Sequence, residues 1–166
     1  SVKKTINLPE LPTTAVQDAN GNNWITPLDG NIYVSQMSIP GAHDSATCNG
    51  FTSSFTAMFA QCQDISVAEQ WKRGVRAFDF RPIVKKDHLH INHGIAETNL
   101  RFDDALHLLR DSLIANPSEF AIIHMLYANN YDSDKSTYVT MLTELLQSED
   151  LKPYLINYTP ALTVGD

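Results

Sequence analysis

The sequence predicts an α/β fold built on a parallel sheet. Short apolar runs of strand length alternate with segments of helical period, the pattern of successive strand–helix units. One run, Phe120 to Tyr127, is apolar almost throughout, as in a parallel strand covered on both faces. With 166 residues the chain suits one domain with a sizeable core.

Residues 1–31 hold Pro9, Pro12, Pro27, Gly21, Gly30 and several Asn, which reads as an irregular lead-in anchored by Trp24 and Ile25. The body then runs over residues 32–166. Ile32 to Ile39 has strand composition and is closed by Pro40-Gly41. Ala42 to Gln63 is rich in Ser, Thr and Asn and reads as loop, with a short helical turn near Phe55 to Phe59. Ser66-Val67-Ala68-Glu69 is a capping box and Gly74 a stop, so a helix is expected over 66–73, with Lys72 and Arg73 as C-terminal charges. Val75 to Arg81 and Leu89 to His93 are expected strands. Phe102, Leu106, Leu109 and Leu113 fall at helical spacing, giving a helix over 102–115 that ends at Asn116-Pro117. After the Phe120–Tyr127 strand, a last helix is expected over 134–148, with Tyr138, Leu142 and Leu145 on one side. No internal repeat or low-complexity tract interrupts this order.

The net charge of −7, with no dense basic stripe, argues against nucleic acid as a partner. It also disfavours electrostatic adsorption to an anionic membrane, so any transient contact with a lipid surface would use apolar loops. No apolar run approaches the ~20 residues of a membrane helix, and no targeting segment is visible. Cys48 and Cys62 are compatible with one disulfide, worth about 3 kcal/mol over such a span, or with two thiols.

Three segments offer chemistry. In Ser38-Ile39-Pro40-Gly41-Ala42-His43-Asp44-Ser45 a Pro-Gly turn presents His43 and Asp44 at the C-terminal end of a strand, where parallel α/β folds build their sites. Histidine exchanges protons near neutral pH, and a neighbouring carboxylate can orient it; a strand-capping histidine is the plainer alternative. In Val75-Arg76-Ala77-Phe78-Asp79-Phe80-Arg81, alternation sets Ala77, Asp79 and Arg81 on one face and Arg76, Phe78 and Phe80 on the other. Asp79 and Arg81 then form either a structural ion pair or, at the strand end, a clamp for phosphate. In His88-Leu89-His90-Ile91-Asn92-His93-Gly94, His88 and His90 share a face and His93 does not, which makes a three-histidine zinc site awkward. His93 is the candidate for the site, with His88 and His90 as turn or surface residues. Arg81 and His88 are too close for a helical crossover, so a tight return centred near Asp87 is expected to set Arg81 opposite His93. His107 and His124 read as solvated or hydrogen-bonded core histidines.

In this order and spacing, SIPGAHDS at 38–45, ISVAEQWKRGVRAFDFRP at 65–82, LHINHG at 89–94 and FDDALHLLRDSLIANPSEFAIIHM at 102–125 resemble the X-region of bacterial phosphatidylinositol-specific phospholipase C, over roughly residues 32–127. The resemblance implies a distorted (β/α)8 TIM-type barrel, here truncated after about four strands, since such a barrel takes about 250 residues. The missing C-terminal half, or self-association, would then cover Ile123, Tyr127, Leu142 and Leu145. It implies phospholipase C type cleavage of a phosphoinositide-like phosphodiester by internal hydroxyl attack, in a secreted or otherwise extracytoplasmic bacterial protein. By the same resemblance His43 is the general base, His93 the general acid, Asp44 the carboxylate partner of His93, Arg81 the phosphate-holding cation and Asp79 an orienting carboxylate. It implies no cofactor and no metal, because Asp44 and Arg81 stand where calcium-dependent relatives carry an Asn and a carboxylate. Inositol-binding members have a Lys where this chain has Leu126-Tyr127-Ala128. Two other readings stay open: a non-catalytic binding module on the same scaffold, and a metal-dependent glycerophosphodiester phosphodiesterase.

Overall fold

A computed structural model of the chain describes residues 21–127 and 135–166. Pro9, Pro12 and Ala128 lie outside them, as does residue 134 at the start of the expected last helix. Among the described residues the strands fall into two sheets. β1 (Gly41–Ala42), β2 (Ala77–Phe80) and β6 (Ile122–Met125) are parallel, in the order β1-β2-β6. β3 (Pro82–Lys85), β4 (His88–His93) and β5 (Ala96–Arg101) form an antiparallel meander. The strand that carries His93 therefore lies outside the parallel sheet, and three rather than four of the described strands have the barrel's character.

The expected strand over Ile32–Ile39 is not formed. Residues 34–36 make a 3-10 turn, and Tyr33 pairs instead with Thr163. Pairing with β2 begins only at Gly41, where the backbone runs so close to Ala77 that a Cβ would sit 3.3 Å from the Ala77 methyl. The carbonyl of Pro40 accepts from Arg76 N and Ala77 N, so the turn itself starts the ladder.

The helical expectations fare better. α1 is Ser54–Ala60, α2 Val67–Lys72, α3 Phe102–Ala115 and α4 Lys135–Leu146. Ser66 caps α2, its hydroxyl accepting from Glu69 N at 3.2 Å. α3 lays Phe102, Ala105, Leu106 and Leu109 onto a core that includes Phe78, Phe80, Leu89, Ile91 and Trp71, with Phe80 and Phe102 edge to face at 6.1 Å. Ile123, Tyr127, Leu142 and Leu145, expected to need cover from outside, are packed in part against this chain's own core. β6 is not buried on both faces as its composition suggests, because it is the outer strand of the described sheet and its His124 is exposed.

The tight return is present, with the register one residue away from expectation. Lys85 pairs with His88 and Pro82 with Ile91, so a two-residue turn of Lys86 and Asp87 closes the hairpin and Asn92 N donates to Arg81 O. Lys86 takes a left-handed φ of 52°, which shortens the loop and centres it between Lys86 and Asp87. β5 was not expected. Its alternation, with Ala96, Thr98 and Leu100 inward, is legible once the hairpin is known.

A buried ion pair locks the lead-in to this body. Glu119 lies 2.9 Å from Arg76, both side chains are inaccessible, and the carboxylate also accepts from Ile25 N, Thr26 N and Thr26 Oγ1. Arg76 donates onward to Gly21 O and Trp71 O, and its guanidinium lies 3.6 Å from the Trp71 ring centre. Trp24 donates to Gly74 O and Ile25 is buried, so both anchors read from the sequence hold. Cys48 and Cys62 form no disulfide.

Candidate active site

His43 and Asp44 follow directly on β1, Asp79 lies in β2, and Arg81 follows it. The parallel pairing therefore brings all four to one end of the sheet. The turn after β1 is stitched to β2 through Ser45: Ser45 N donates to Asp79 O, and Ser45 Oγ accepts from Asp79 N. Asp44 takes a left-handed φ of 46°, held by Thr47 N and Thr47 Oγ1 donating to its carbonyl. That conformation, costly for a residue with a Cβ, turns the Asp44 carboxylate inward.

Asp44 is the hub. Its Oδ2 lies 3.2 Å from His43 Nε2 and 3.2 Å from His93 Nε2, and its Oδ1 lies 2.8 Å from Arg81 Nε. Asp79 Oδ2 sits 3.1 Å from His43 Nδ1 and 3.2 Å from Arg81 Nη2, and it accepts from Asp44 N. Arg81 Nη2 also approaches His43 Nδ1 at 3.3 Å, but that nitrogen cannot both donate to Asp79 and accept from Arg81. The shorter contact, to an opposite charge, decides for Asp79.

Environment separates the two carboxylates. Burial pushes Asp44 above the usual carboxylate range, outweighing the pull of Arg81, His93 and His43. Burial is also the largest single influence on Asp79, but hydrogen bonds from Asp44 N, Arg81 and His124 together hold it below that range. Two imidazoles, a guanidinium and two unlike carboxylates thus meet in one water-accessible cluster, a set able to give, take and orient protons around an anion.

The family model for the phosphatidylinositol-specific phospholipase C X domain matches residues 37–156. The chain belongs to this family. The 1-phosphatidylinositol phosphodiesterase of Listeria monocytogenes is 33% identical over 103 residues, 61% of this chain and 32% of the relative. The protein of the same name from Staphylococcus aureus is 30% identical over 113 residues, 68% of this chain and 35% of the relative. The chain thus spans about a third of the length of the curated relatives it matches. Among solved structures, a phosphatidylinositol-specific phospholipase C of S. aureus, studied for modulation of its membrane binding, superposes with a TM-score of 0.74 at 25% identity, over 88% of this chain and 51% of that one. The Listeria monocytogenes enzyme gives 0.66 at 23% identity, over 78% and 46%, and shows the shared TIM-type fold.

Within this X domain all five residues singled out from the sequence, His43, Asp44, Asp79, Arg81 and His93, come together. His93 reaches Asp44 although its backbone partner is Ala96 and Arg81 faces Asn92. His88 and His90 stay out of the cluster, but His90 is no surface residue: it is buried, with Nε2 on Thr98 O at 2.8 Å and Nδ1 3.2 Å from His88 Nε2. His107 pairs with Asp150 at 2.7 Å, as a solvated helix histidine can.

Three neighbours were missed. His124 is the register partner of Asp79 in the β2–β6 pair and places Nδ1 3.3 Å from Asp79 Oδ1. A single polar residue inside an apolar strand was the available signal. Cys62 points its thiol at Asp44 Oδ2, 3.8 Å away, and Gln63 donates to His43 O at 2.7 Å. Nothing in the sequence separates these two from the rest of a polar loop.

Proposed function

We propose that this X domain is a metal-independent phosphodiesterase of phospholipase C type, with His43 as base and His93 as acid. One observation carries the reading: a single carboxylate, Asp44, has both imidazoles on one oxygen and Arg81 on the other. In the reaction, a hydroxyl beside the phosphate attacks phosphorus and passes its proton to His43. The P–O bond to the leaving alkoxide breaks, His93 protonates that oxygen, and the phosphate is left cyclic. Asp79 on His43 Nδ1 fixes the tautomer that leaves Nε2 basic. The Asp44 carboxylate, with Oδ2 3.2 Å from His93 Nε2, orients that imidazole as donor. Arg81 supplies the positive charge for the equatorial oxygens that a metal would otherwise bring.

The substrate class is a phosphodiester with an adjacent hydroxyl, phosphoinositide-like in that respect. In the stretch where inositol-binding members carry a Lys, Leu126 is half-exposed and Tyr127 stacks on Tyr138 with ring centres 4.4 Å apart. Neither offers the cation of inositol-binding members, so we assign the head group no further identity. A lipid-borne substrate is supported by the apolar surface of α1, where Phe55, Met58 and Phe59 are each more than two-thirds exposed. Ile95, in the turn just beyond His93, is exposed as well. No helix among the described residues is long and apolar enough to cross a membrane. A secreted or otherwise extracytoplasmic bacterial setting belongs to the same proposal, as does pairing of the outer edge of β6 in the working protein, by more of a barrel or by a second copy.

The test is turnover of phosphatidylinositol and a panel of soluble phosphodiesters by wild type, His43→Ala and His93→Ala. Each variant is expected to lose about 100-fold or more in kcat. Near wild-type turnover by either would remove the assignment, and binding without turnover by the wild type would leave a non-catalytic module.

A further inference from the structure

We infer that the same cluster is a binding site for a thiophilic divalent cation of the zinc or cadmium class, held by His43 Nε2, Asp44 Oδ2 and Cys62 Sγ, with water in the fourth position. Among the described residues, His43, Asp44 and Cys62 are the one group of three or more His, Cys, Asp or Glu whose ligand atoms all lie within 4.8 Å of one another. In a tetrahedral zinc site, bonds of about 2.0–2.1 Å to N or O and about 2.3 Å to S set ligand atoms about 3.3 and 3.5 Å apart. The distances from Asp44 Oδ2 are 3.2 Å to His43 Nε2 and 3.8 Å to Cys62 Sγ. Cys62, whose sulfur is the ligand atom farther from Asp44 Oδ2, is exposed and follows α1 in a loop, where it can close in.

The surroundings already have the form of a metal site. Asp79 holds His43 Nδ1 at 3.1 Å, the outer carboxylate that typically orients a metal-bound imidazole. Arg81 contacts Asp44 through Oδ1, leaving Oδ2 for the ion. With Asp44, Asp79 and the Cys62 thiolate against Arg81, a dication brings the cluster to neutrality. One imidazole, one thiolate and one carboxylate oxygen select zinc, cadmium or cobalt, whereas calcium and magnesium require more oxygen ligands. Binding releases the thiol proton to solvent as the metal–sulfur bond forms. If the function proposed above holds, the ion takes the His43 nitrogen that acts as base, and so inhibits; the site itself does not depend on that reading.

Cobalt(II) titrated into the reduced 166-residue chain tests this without any turnover. The expected result is one cobalt per chain, with a thiolate-to-cobalt charge-transfer band that zinc abolishes by displacement. Cys62→Ser should lose the band and weaken zinc, measured against a chromogenic chelator, by at least about tenfold, the lower end of the cost of losing even a supporting group. Cys48→Ser should keep both, and circular dichroism should report the same fold for each variant. Absence of the band in the wild type, or its survival in Cys62→Ser, would overturn the inference. So would an equal signal from denatured chain.

Discussion

Asp44 and Asp79 stand side by side at the strand ends, and their surroundings move them in opposite directions. Asp44 is raised, so the folded state holds its proton more tightly than the unfolded chain, and this contribution to stability is lost as pH rises through the folded pKa. Asp44→Asn cannot ionise, so the fall in urea midpoint with rising pH that this group causes is expected to be absent from the variant. Asp79 is lowered, so its contribution is present above the unfolded pKa and lost as pH falls through the folded one. Asp79→Asn should therefore lower the midpoint at neutral pH, with the gap closing in acid. A parallel response of the two variants would show that the electrostatic contrast has been misjudged. Arg81, with its Nε on Asp44 and its Nη2 on Asp79, is the cation of the site. Arg81→Ala is expected to cost at least about 3 kcal/mol in kcat/KM, while wild-type turnover survives excess chelator. Loss of activity in chelator, restored by calcium, would reverse that prediction. At this scale the sequence marked His43, Asp44, Asp79, Arg81 and His93 through motif and spacing. It read His124, 45 residues from the carboxylate it meets, as a solvated or hydrogen-bonded core histidine, because a lone polar residue in an apolar run does not name its partner.

Elements with strong local signals form where those signals lie. Ser66 and Glu69 fix the start of α2, and the spacing of Phe102, Leu106 and Leu109 fixes the buried face of α3. Elements defined by partners were harder to read. Ile32–Ile39 has strand composition, yet Tyr33 pairs with Thr163, and the parallel ladder waits for Gly41. The hairpin turned on one residue, since Lys86 in a left-handed conformation moves the register by one. The tie between lead-in and sheet is equally non-local, joining Arg76 to Glu119 across 43 positions with both side chains sealed from water. Glu119→Ala leaves a buried guanidinium unpaired and the amides of Ile25 and Thr26 without their acceptor. A loss of about 3–5 kcal/mol in unfolding free energy is expected from denaturant titration. A change below about 1 kcal/mol would mean that water replaces the carboxylate at little cost.

Over the whole molecule the charge is −7, while the α1 surface that includes Phe55, Met58 and Phe59 is apolar. An acidic protein gains little from an anionic bilayer, so docking through this surface should depend on burial of hydrocarbon. Each such side chain is worth about 1.5–3 kcal/mol when fully buried. Replacing all three with Ser should lower co-sedimentation with neutral phosphatidylcholine vesicles at least about tenfold. Wild-type binding should change little with salt, because screening acts on charges. Vesicle binding that falls steeply with salt, or that the triple variant retains, would place the contact elsewhere.

The sequence by itself determined the α/β character, the two best-marked helices and the five polar residues that meet at the site. These follow from local periodicity, capping and motif order, which a chain carries whether or not it is folded. Only the tertiary structure decided that the strand of His93 belongs to a separate antiparallel meander. It also decided that Arg81 faces Asn92, that Asp44 rather than either histidine is the centre of the cluster, and that Cys62 and His124 border it. Those outcomes depend on contacts between residues far apart in sequence, where steric fit and the burial of charge choose among pairings that local composition leaves equivalent.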